Sequence, residues 1–253
     1  MASIKDIAQR AGVSIATVSH VLNGTRPVRD GTRQNVLRAV RELRYTVNAS
    51  ARSLARGRSD IAGLIVSDLG NPFFPEIATA FQEQALLAGV DAIVMNANHD
   101  AQRALLCVRR LLGLNVSGLA IITAELEPAI TEAVSSRAVP AVYLDLGSPG
   151  PLVSNIVVDY EAGIAEAVEH LLALGHRRIG FLGGPSQWPS SERRRRAFVD
   201  TAGSRAEIRT VEAGATVHDG YVACARLLAD FQPTAIAAFN DLLAIGALHC
   251  AHD

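Results

Sequence analysis

Apolar positions follow two rhythms along this chain, one helical at the N-terminus and one strand-like beyond it. Ile4, Ile7, Ala8 and Ala11 fall at i, i+3, i+4 and i+7, which predicts one short amphipathic helix. Ser3 stands three residues before Asp6 and supplies an N-cap with a short capping box. Gly12 offers the left-handed turn that stops this helix, Val13 a buried plug, and Ser14 the cap of a second helix with an inner face of Val18, Val21 and Leu22. Two short helices joined by a tight Gly-containing corner read as a helix-turn-helix. They also read as an ordinary helix pair on the surface of a larger domain, and spacing alone does not separate the two.

The helical rhythm continues over Thr32 to Tyr45, with Val36, Leu37, Val40 and Leu43 spaced to close a three-helix core and Arg33, Arg38, Arg41 and Arg44 left outside. The start of this third helix is weakly written: Arg29-Asp30-Gly31 leaves only Asp30 as a cap and puts a costly glycine in the first turn. Asn48 to Arg58 is short and mostly polar, with Leu54 its one large apolar residue beside Ala51 and Ala55. It reads either as a flexible linker or as a hinge helix that folds on DNA and wedges Leu54 between base steps.

From Asp60 the pattern becomes short apolar runs at 61–68, 90–97, 116–123, 139–145, 177–183 and 233–239, separated by helical segments near 74–88, 100–112, 126–136, 159–174, 192–202 and 218–230. Strands alternating with helices predict βαβ units and a parallel, doubly wound α/β architecture. Ligands in such sheets bind beyond the strand C-termini. The expected fold is therefore multidomain: an all-α head on an α/β body.

Charge sharpens the division. The chain of 253 residues has a net charge of −1, but residues 1–60 hold eleven basic against four acidic side chains, a net +7, and the remainder is correspondingly acidic. A compact basic head on an acidic body is the footprint of a nucleic-acid module joined to something else. No apolar run approaches the length of a membrane span, and no signal segment opens the chain, so a cytoplasmic protein is expected. Cys107, Cys224 and Cys250 are widely spaced and read as reduced core thiols. His249, Cys250 and His252 fit no structural zinc spacing, and neither metal nor cofactor is implied. Gly183-Gly184 lacks the lysine and spacing of a phosphate loop. No nucleophile, base and orienting acid stand out as a trio, so the chain does not read as an enzyme.

Residues 3–60, with the run AxxAGVSxATVSxVLNG over 8–24, together with NPFFPEI (71–77), residues 158–185 and AFNDLLAIGAL (238–248), resemble the lactose-repressor (LacI/GalR) family of transcription regulators. The resemblance runs from end to end. It implies a helix-turn-helix DNA-binding head over 1–46, a hinge helix over 47–59 and a periplasmic-binding-protein-like body over 60–253, its two subdomains around a small effector. It also implies a homodimer on a near-palindromic double-stranded operator, controlled by a sugar-like or purine-like metabolite. Family members run on for roughly another third of this length, so the second subdomain is expected to be incomplete and effector binding and dimerisation weakened.

Carried over position by position, the resemblance makes Ile15, Ala16 and His20 base-reading residues and Ser14 and Thr17 phosphate anchors, with Asn23, Arg29 and Ala51 completing the DNA-binding set and Leu54 as the intercalating leucine. Ile15 and Ala16 can touch thymine methyls only, whereas His20 can donate to guanine N7 or O6. Val47 and Arg29 replace a frequent proline and a capping serine. For the effector, Asn71, Phe73 and Phe74 follow the first body strand, and Trp188, Ser190 and Arg194 lie in the loop and helix that usually face the cleft. Asn240 and Asp241 follow the last strand. Phe73 and Phe74 read equally as helix-start packing, one arginine of the 193–196 run is expected inward with the rest solvated, and Asp241 can simply cap a helix. Two other functions remain formally open. A cytosolic solute-binding protein is disfavoured by the basic head, and a Rossmann-type enzyme by the absence of a Gly-rich turn in Ser67-Asp68-Leu69-Gly70-Asn71-Pro72.

Overall fold

The computed structural model describes residues 2–45, 59–123, 128–145 and 150–253. Contacts divide the chain into two units, Met1–Ser59 and Asp60–Asp253. In the first, α1 (Ile4–Ala11), α2 (Ile15–Asn23) and α3 (Asp30–Glu42) enclose a core of Ile7, Ala8, Val18, Val36 and Ala39. Ser3 and Asp6 form the expected reciprocal cap, the Asp6 carboxylate accepting from the Ser3 amide at 2.7 Å. Gly12 adopts φ +66°, and the Val13 amide donates back to Ala8 O at 3.0 Å. This turn sends α2 off across α1.

Two details of α3 differ from the sequence reading. The helix spans Asp30–Glu42 rather than 32–45, with Arg29 at the cap position making no capping bond and Asp30 inside the first turn. A carboxylate there still offsets the helix dipole, so the helix tolerates the missing cap. It ends early because Arg44 turns left-handed at φ +48°, and the Tyr45 amide reaches back to Val40 O at 3.0 Å. Leu37 is 38% exposed, and the inner stripe is Val36, Ala39, Val40 and Leu43. Those positions are separated by three, one and three residues, whereas Leu37 lies a sixth of a turn or more off the stripe.

In the second unit, β1 (Ile61–Val66), α4 (Phe73–Leu87), β2 (Asp91–Asn96), α5 (Ala101–Gly113), β3 (Gly118–Ile122), α6 (Pro128–Ser135), β4 (Ala141–Leu144) and β5 (Val153–Ile156) build the first lobe. Its sheet is parallel in the order β2-β1-β3-β4-β5. The second lobe follows as α7 (Tyr160–Ala173), β6 (Arg178–Gly183), α8 (Pro189–Ala202), β7 (Glu207–Glu212), α9 (Val217–Asp230), β8 (Ala235–Ala238) and α10 (Asp241–His252). There the parallel order is β7-β6-β8. Each sheet carries helices on both faces. In the first, α5 and α6 pack on Ile65, Leu119 and Ile121, while α4 covers Leu64 and Val66.

Strands β5 and β7 were not expected from the apolar runs. Both are edge strands, and Val-Ser-Asn-Ile and Glu-Ile-Arg-Thr-Val-Glu carry polar residues toward solvent. Apolar runs mark a strand wherever its residues are apolar, as in the edge strands β2 and β8, and pass over edge strands whose residues alternate with polar ones.

Candidate nucleic-acid interface and ligand cleft

In the head, α2 is held by its own first turn. Ser14 Oγ accepts from the Thr17 amide at 3.1 Å and shares a second bond with Thr17 Oγ1 at 2.9 Å. The two hydroxyls thus sit together at the positive end of the helix, where an anion is favoured. Ile15, 45% exposed, and Ala16 project from the same turn, while Val18 is buried beneath them. His20 is half-buried, and its Nδ1 bonds Thr25 Oγ1 at 2.8 Å. That contact engages one ring nitrogen, Nδ1, and not Nε2. When the Thr25 hydroxyl is the donor, Nε2 carries the proton and can donate to guanine.

The other expected contacts separate. Asn23 Nδ2 donates to Ser19 Oγ at 3.1 Å within α2, so this side chain braces its own helix. Arg29 is exposed at the start of α3. Ala51 and Leu54, and with them the expected hinge helix, lie outside the described residues. Arg26, Arg33, Arg41 and Arg44 are exposed, while Arg10 pairs with Glu42 at 2.6 Å. This cationic surface suits a polyanion.

In the body, the loops beyond the strand C-termini of the two lobes bring together a set of aromatic and charged groups. At the end of β1, Ser67 is buried and its Oγ donates to Thr123 Oγ1 at 3.2 Å, tying β1 to β3. Asp68 follows, its carboxylate receiving the Gly70 amide at 2.8 Å and standing 3.9 Å from His99 Nε2. Asn71 Oδ1 accepts from the Phe73 amide at 3.1 Å and so nucleates α4. The two phenylalanines differ in burial: Phe74 packs on Leu64 and Val66, whereas Phe73 is 52% exposed and meets Phe74 edge-on at 5.1 Å.

Trp188, at the cap of α8 with Pro189 in its first turn, stacks on His99 from the first lobe at 4.7 Å between centroids. It also lies 6.1 Å from Phe239. Two members of the arginine run turn inward, Arg194 and Arg193, where one was expected. The Arg194 guanidinium carbon sits 3.8 Å from the Tyr160 ring centroid and 4.5 Å from that of Phe239, clamped between two aromatic rings. Desolvation there holds its pKa below the usual guanidinium value. The same burial, with a hydrogen bond to Asp145, pushes the Tyr160 phenol up to about 12, so it remains a neutral donor.

Arg193 also turns away from solvent. It grips Glu161 through Nε at 2.7 Å and Nη2 at 2.6 Å, donates to Val158 O at 3.2 Å, and stands 3.6 Å from Asp145. The Arg193 hydrogen bond keeps the Glu161 carboxyl below its ordinary range. Arg195 pairs with Glu192 at 2.8 Å, and Arg196, the most exposed of the run, lies 3.6 Å from the same carboxylate. Ser190 is half-buried in the first turn of α8, while its neighbour Ser191 is buried. Asn240 Oδ1 caps α10 through the Leu243 amide at 2.9 Å, so the capping role considered for Asp241 belongs to Asn240 and Asp241 is exposed in the first turn.

Five members of this cluster, Asp68, His99, Asp145, Tyr160 and Phe239, were not picked from the sequence. Asp145 carried the clearest signal, since it closes a predicted strand at its C-terminal end, where doubly wound sheets hold ligands.

Comparison with known proteins completes the description. Residues 3–48 match the family model of bacterial regulatory proteins, lacI family. Residues 59–253 match that of periplasmic binding proteins and the sugar binding domain of the LacI family. Catabolite control protein A of Priestia megaterium is 30% identical over 257 residues, covering 99% of this chain and 77% of that protein. The HTH-type transcriptional repressor PurR of Mannheimia succiniciproducens is 33% identical over 254 residues, covering 98% and 76%. Among solved structures, the lac repressor dimer bound to operator and the anti-inducer ONPF superposes with a TM-score of 0.86 at 30% identity, covering 99% of this chain and 77% of that one. The transcriptional regulator CelR in complex with cellobiose superposes with a TM-score of 0.65 at 25% identity, covering 100% and 78%.

Proposed function

Because the chain belongs to the LacI family of bacterial regulatory proteins, we propose that it works in the cytoplasm as a repressor whose grip on a near-palindromic operator is set by a small effector in the body cleft. The observation that carries the DNA half is the capped α2, which presents exposed Ile15 and Ala16 in its first turn and half-buried His20 one turn further on, in a head rich in unburied arginines. Ile15 and Ala16 read thymine methyls, His20 reads guanine, and Ser14 with Thr17 anchors a phosphate. Asn23 orders α2 rather than touching bases, Arg29 adds a phosphate contact, and Ala51 with Leu54 belongs to a hinge over 47–59 that engages the minor groove. A two-fold operator calls for a homodimer, the state in which the lac repressor was solved on its operator.

The effector half rests on Arg194 between Tyr160 and Phe239, with Asp145, Asp68 and the His99–Trp188 stack nearby. Aromatic faces and fixed charges of both signs suit a sugar or related ring metabolite: rings cover its apolar face, and Arg194, Asp68, Ser190 and Asn71 bond its hydroxyls. Phe73 supplies a further wall. The cleft is a binding site, not a catalytic one.

Selection of bound duplexes from a random pool tests the reading, with His20→Ala as the control. The expected result is one palindromic sequence whose guanine preference at one position per half-site is lost in the variant. Affinity should fall steeply with salt, log K dropping by about 0.9 per phosphate neutralised. A chain that enriches no sequence, even in dilute buffer, refutes the proposal.

A further inference from the structure

Neither the DNA-reading turn nor the cleft uses Cys224 or Cys250. Cys224 lies on α9 and is fully buried. Cys250 lies in the last turn of α10, half-buried against the same apolar cluster. Their meeting follows from how the two helices cross. A Cβ on Gly246 would stand 2.0 Å from Val217 O, and one on Gly220 2.4 Å from Leu243 O, so α9 and α10 pack backbone to backbone there. Each cysteine sits four residues beyond one of these glycines, hence one turn further along the same facing stripe. The Cys224 thiol donates to Ala247 O at 3.7 Å, and Cys250 packs against the buried cluster to which Cys224 belongs.

We propose that Cys224 and Cys250 form a peroxide-sensitive dithiol, oxidised to an intramolecular disulfide that staples α9 to α10. Cys250 is the thiol that solvent reaches. As thiolate it attacks one oxygen of hydrogen peroxide, the O–O bond breaks, and the departing hydroxide takes up the proton Cys250 released, giving a sulfenic acid and water. The Cys224 sulfur then attacks the sulfenic sulfur. The S–O bond breaks, and the hydroxide leaves with the Cys224 proton as a second water. Two thiols are oxidised by two electrons and one peroxide is reduced to two waters. Burial pushes the Cys224 thiol up to about 11, so the first step with peroxide falls to the solvent-reached Cys250, and Cys224 gives up its proton only as the S–S bond forms. Cys107, buried on α5 in the first lobe, serves as an internal reference.

The test uses the reduced full chain, one equivalent of hydrogen peroxide, alkylation of the remaining thiols, and peptide mapping by mass spectrometry. Of the three thiols, two should be lost, leaving a chain two hydrogens lighter with peptides containing Cys224 and Cys250 cross-linked; dithiothreitol should restore all three. Cys250→Ser should abolish the cross-link and leave Cys107 as it was. If that variant fails to fold, the map of the unsubstituted chain decides alone. Sulfinic or sulfonic Cys250 without the cross-link, cross-links only between chains, or three unreacted thiols would each overturn the proposal.

Discussion

Replacing Ser14 by Ala, and separately by Asp, divides two jobs that this side chain performs in one place. Its Oγ satisfies the Thr17 amide at 3.1 Å, one of the four N–H groups that open α2 without an intrahelical partner. Losing such a cap costs about 1 kcal/mol. Local opening of the first turn should then be favoured roughly 5-fold, read as faster hydrogen exchange in the peptide covering 14–23 of the full chain. Aspartate caps as well as serine, and its charge suits the helix dipole, so Ser14→Asp should return exchange to its original rate. Operator affinity should respond differently. The alanine variant loses one phosphate contact, and the aspartate variant places a carboxylate against that phosphate, so it should bind more weakly still, most visibly at low salt. If Ser14→Asp restored DNA binding along with the helix, Ser14 would be a cap and nothing more. Unchanged exchange in Ser14→Ala would refute the capping energy itself.

The body offers sharper contrasts. Phe74→Ala, which empties a site against Leu64 and Val66, should lower stability by about 2 kcal/mol, whereas Phe73→Ala at an exposed ring should leave the melting temperature nearly unchanged yet reduce the shift produced by a ligand found in a thermal screen. Gly246→Ala drives a Cβ into Val217 O and the Tyr221 amide at 2.0 and 2.6 Å; overpacking of about 1–3 kcal/mol should cost roughly 2–10 °C in a scanning melt. Gly163→Ala, on α7 with open space around it, is the control and should stabilise by about 1 kcal/mol. Asp219 has its carboxyl pulled down first by the Thr216 hydroxyl, then by the Thr216 and Ala215 amides. A carboxyl lower in the folded chain than in the unfolded one stabilises above the unfolded value of about 3.9, and that contribution is lost as pH falls through the folded pKa. Acid titration followed by circular dichroism should therefore find Asp219→Asn less stable at neutral pH and converging on the unsubstituted chain once the pH falls through the lowered folded pKa.

The sequence carried the caps of α1 and α2 and the central strands, because both are local statements. Ser3, Gly12 and Ser14 each act within a few residues of where they stand, and β1, β3 and β6 are apolar runs whatever surrounds them. Leu37 was misplaced because the inner stripe of α3 was assigned by residue type, and an alanine, Ala39, fills it instead. The cleft was legible only in part. Arg194 and Trp188 were singled out, but the partners they pack on, Tyr160, Phe239 and His99, are distant in sequence and their pairing is decided by where two sheets end. No periodicity along one segment encodes such a meeting. Thiols were read as inert core residues for the same reason: the neighbour of Cys224 is set by a crossing of two glycine faces, not by spacing.

An effector changes a regulator only through groups that it contacts differently in two arrangements of the protein. Within the body, the groups placed to do this are those through which one lobe touches the other. His99, from the end of β2, stacks on Trp188 of the second lobe, and Asp145, from the end of β4, faces Arg193 of α8 at 3.6 Å while receiving the Val158 amide at 3.0 Å. Arg194, by contrast, takes its ring contacts from Tyr160 and Phe239 of its own lobe and meets Asp145 of the other lobe through charge alone. A ligand whose contacts stay within the second lobe would stabilise both arrangements equally and shift nothing, however tight. A ligand that also engages Asp145 competes with Arg193 for that carboxylate, and one that slides against Trp188 competes with His99. Loss of Arg194 should therefore weaken effector binding with the regulatory response intact at saturation, whereas Arg193→Met or His99→Ala should leave binding measurable and uncouple it from operator release. Equal loss of coupling in all three variants would show that the response does not pass through the contacts between the lobes.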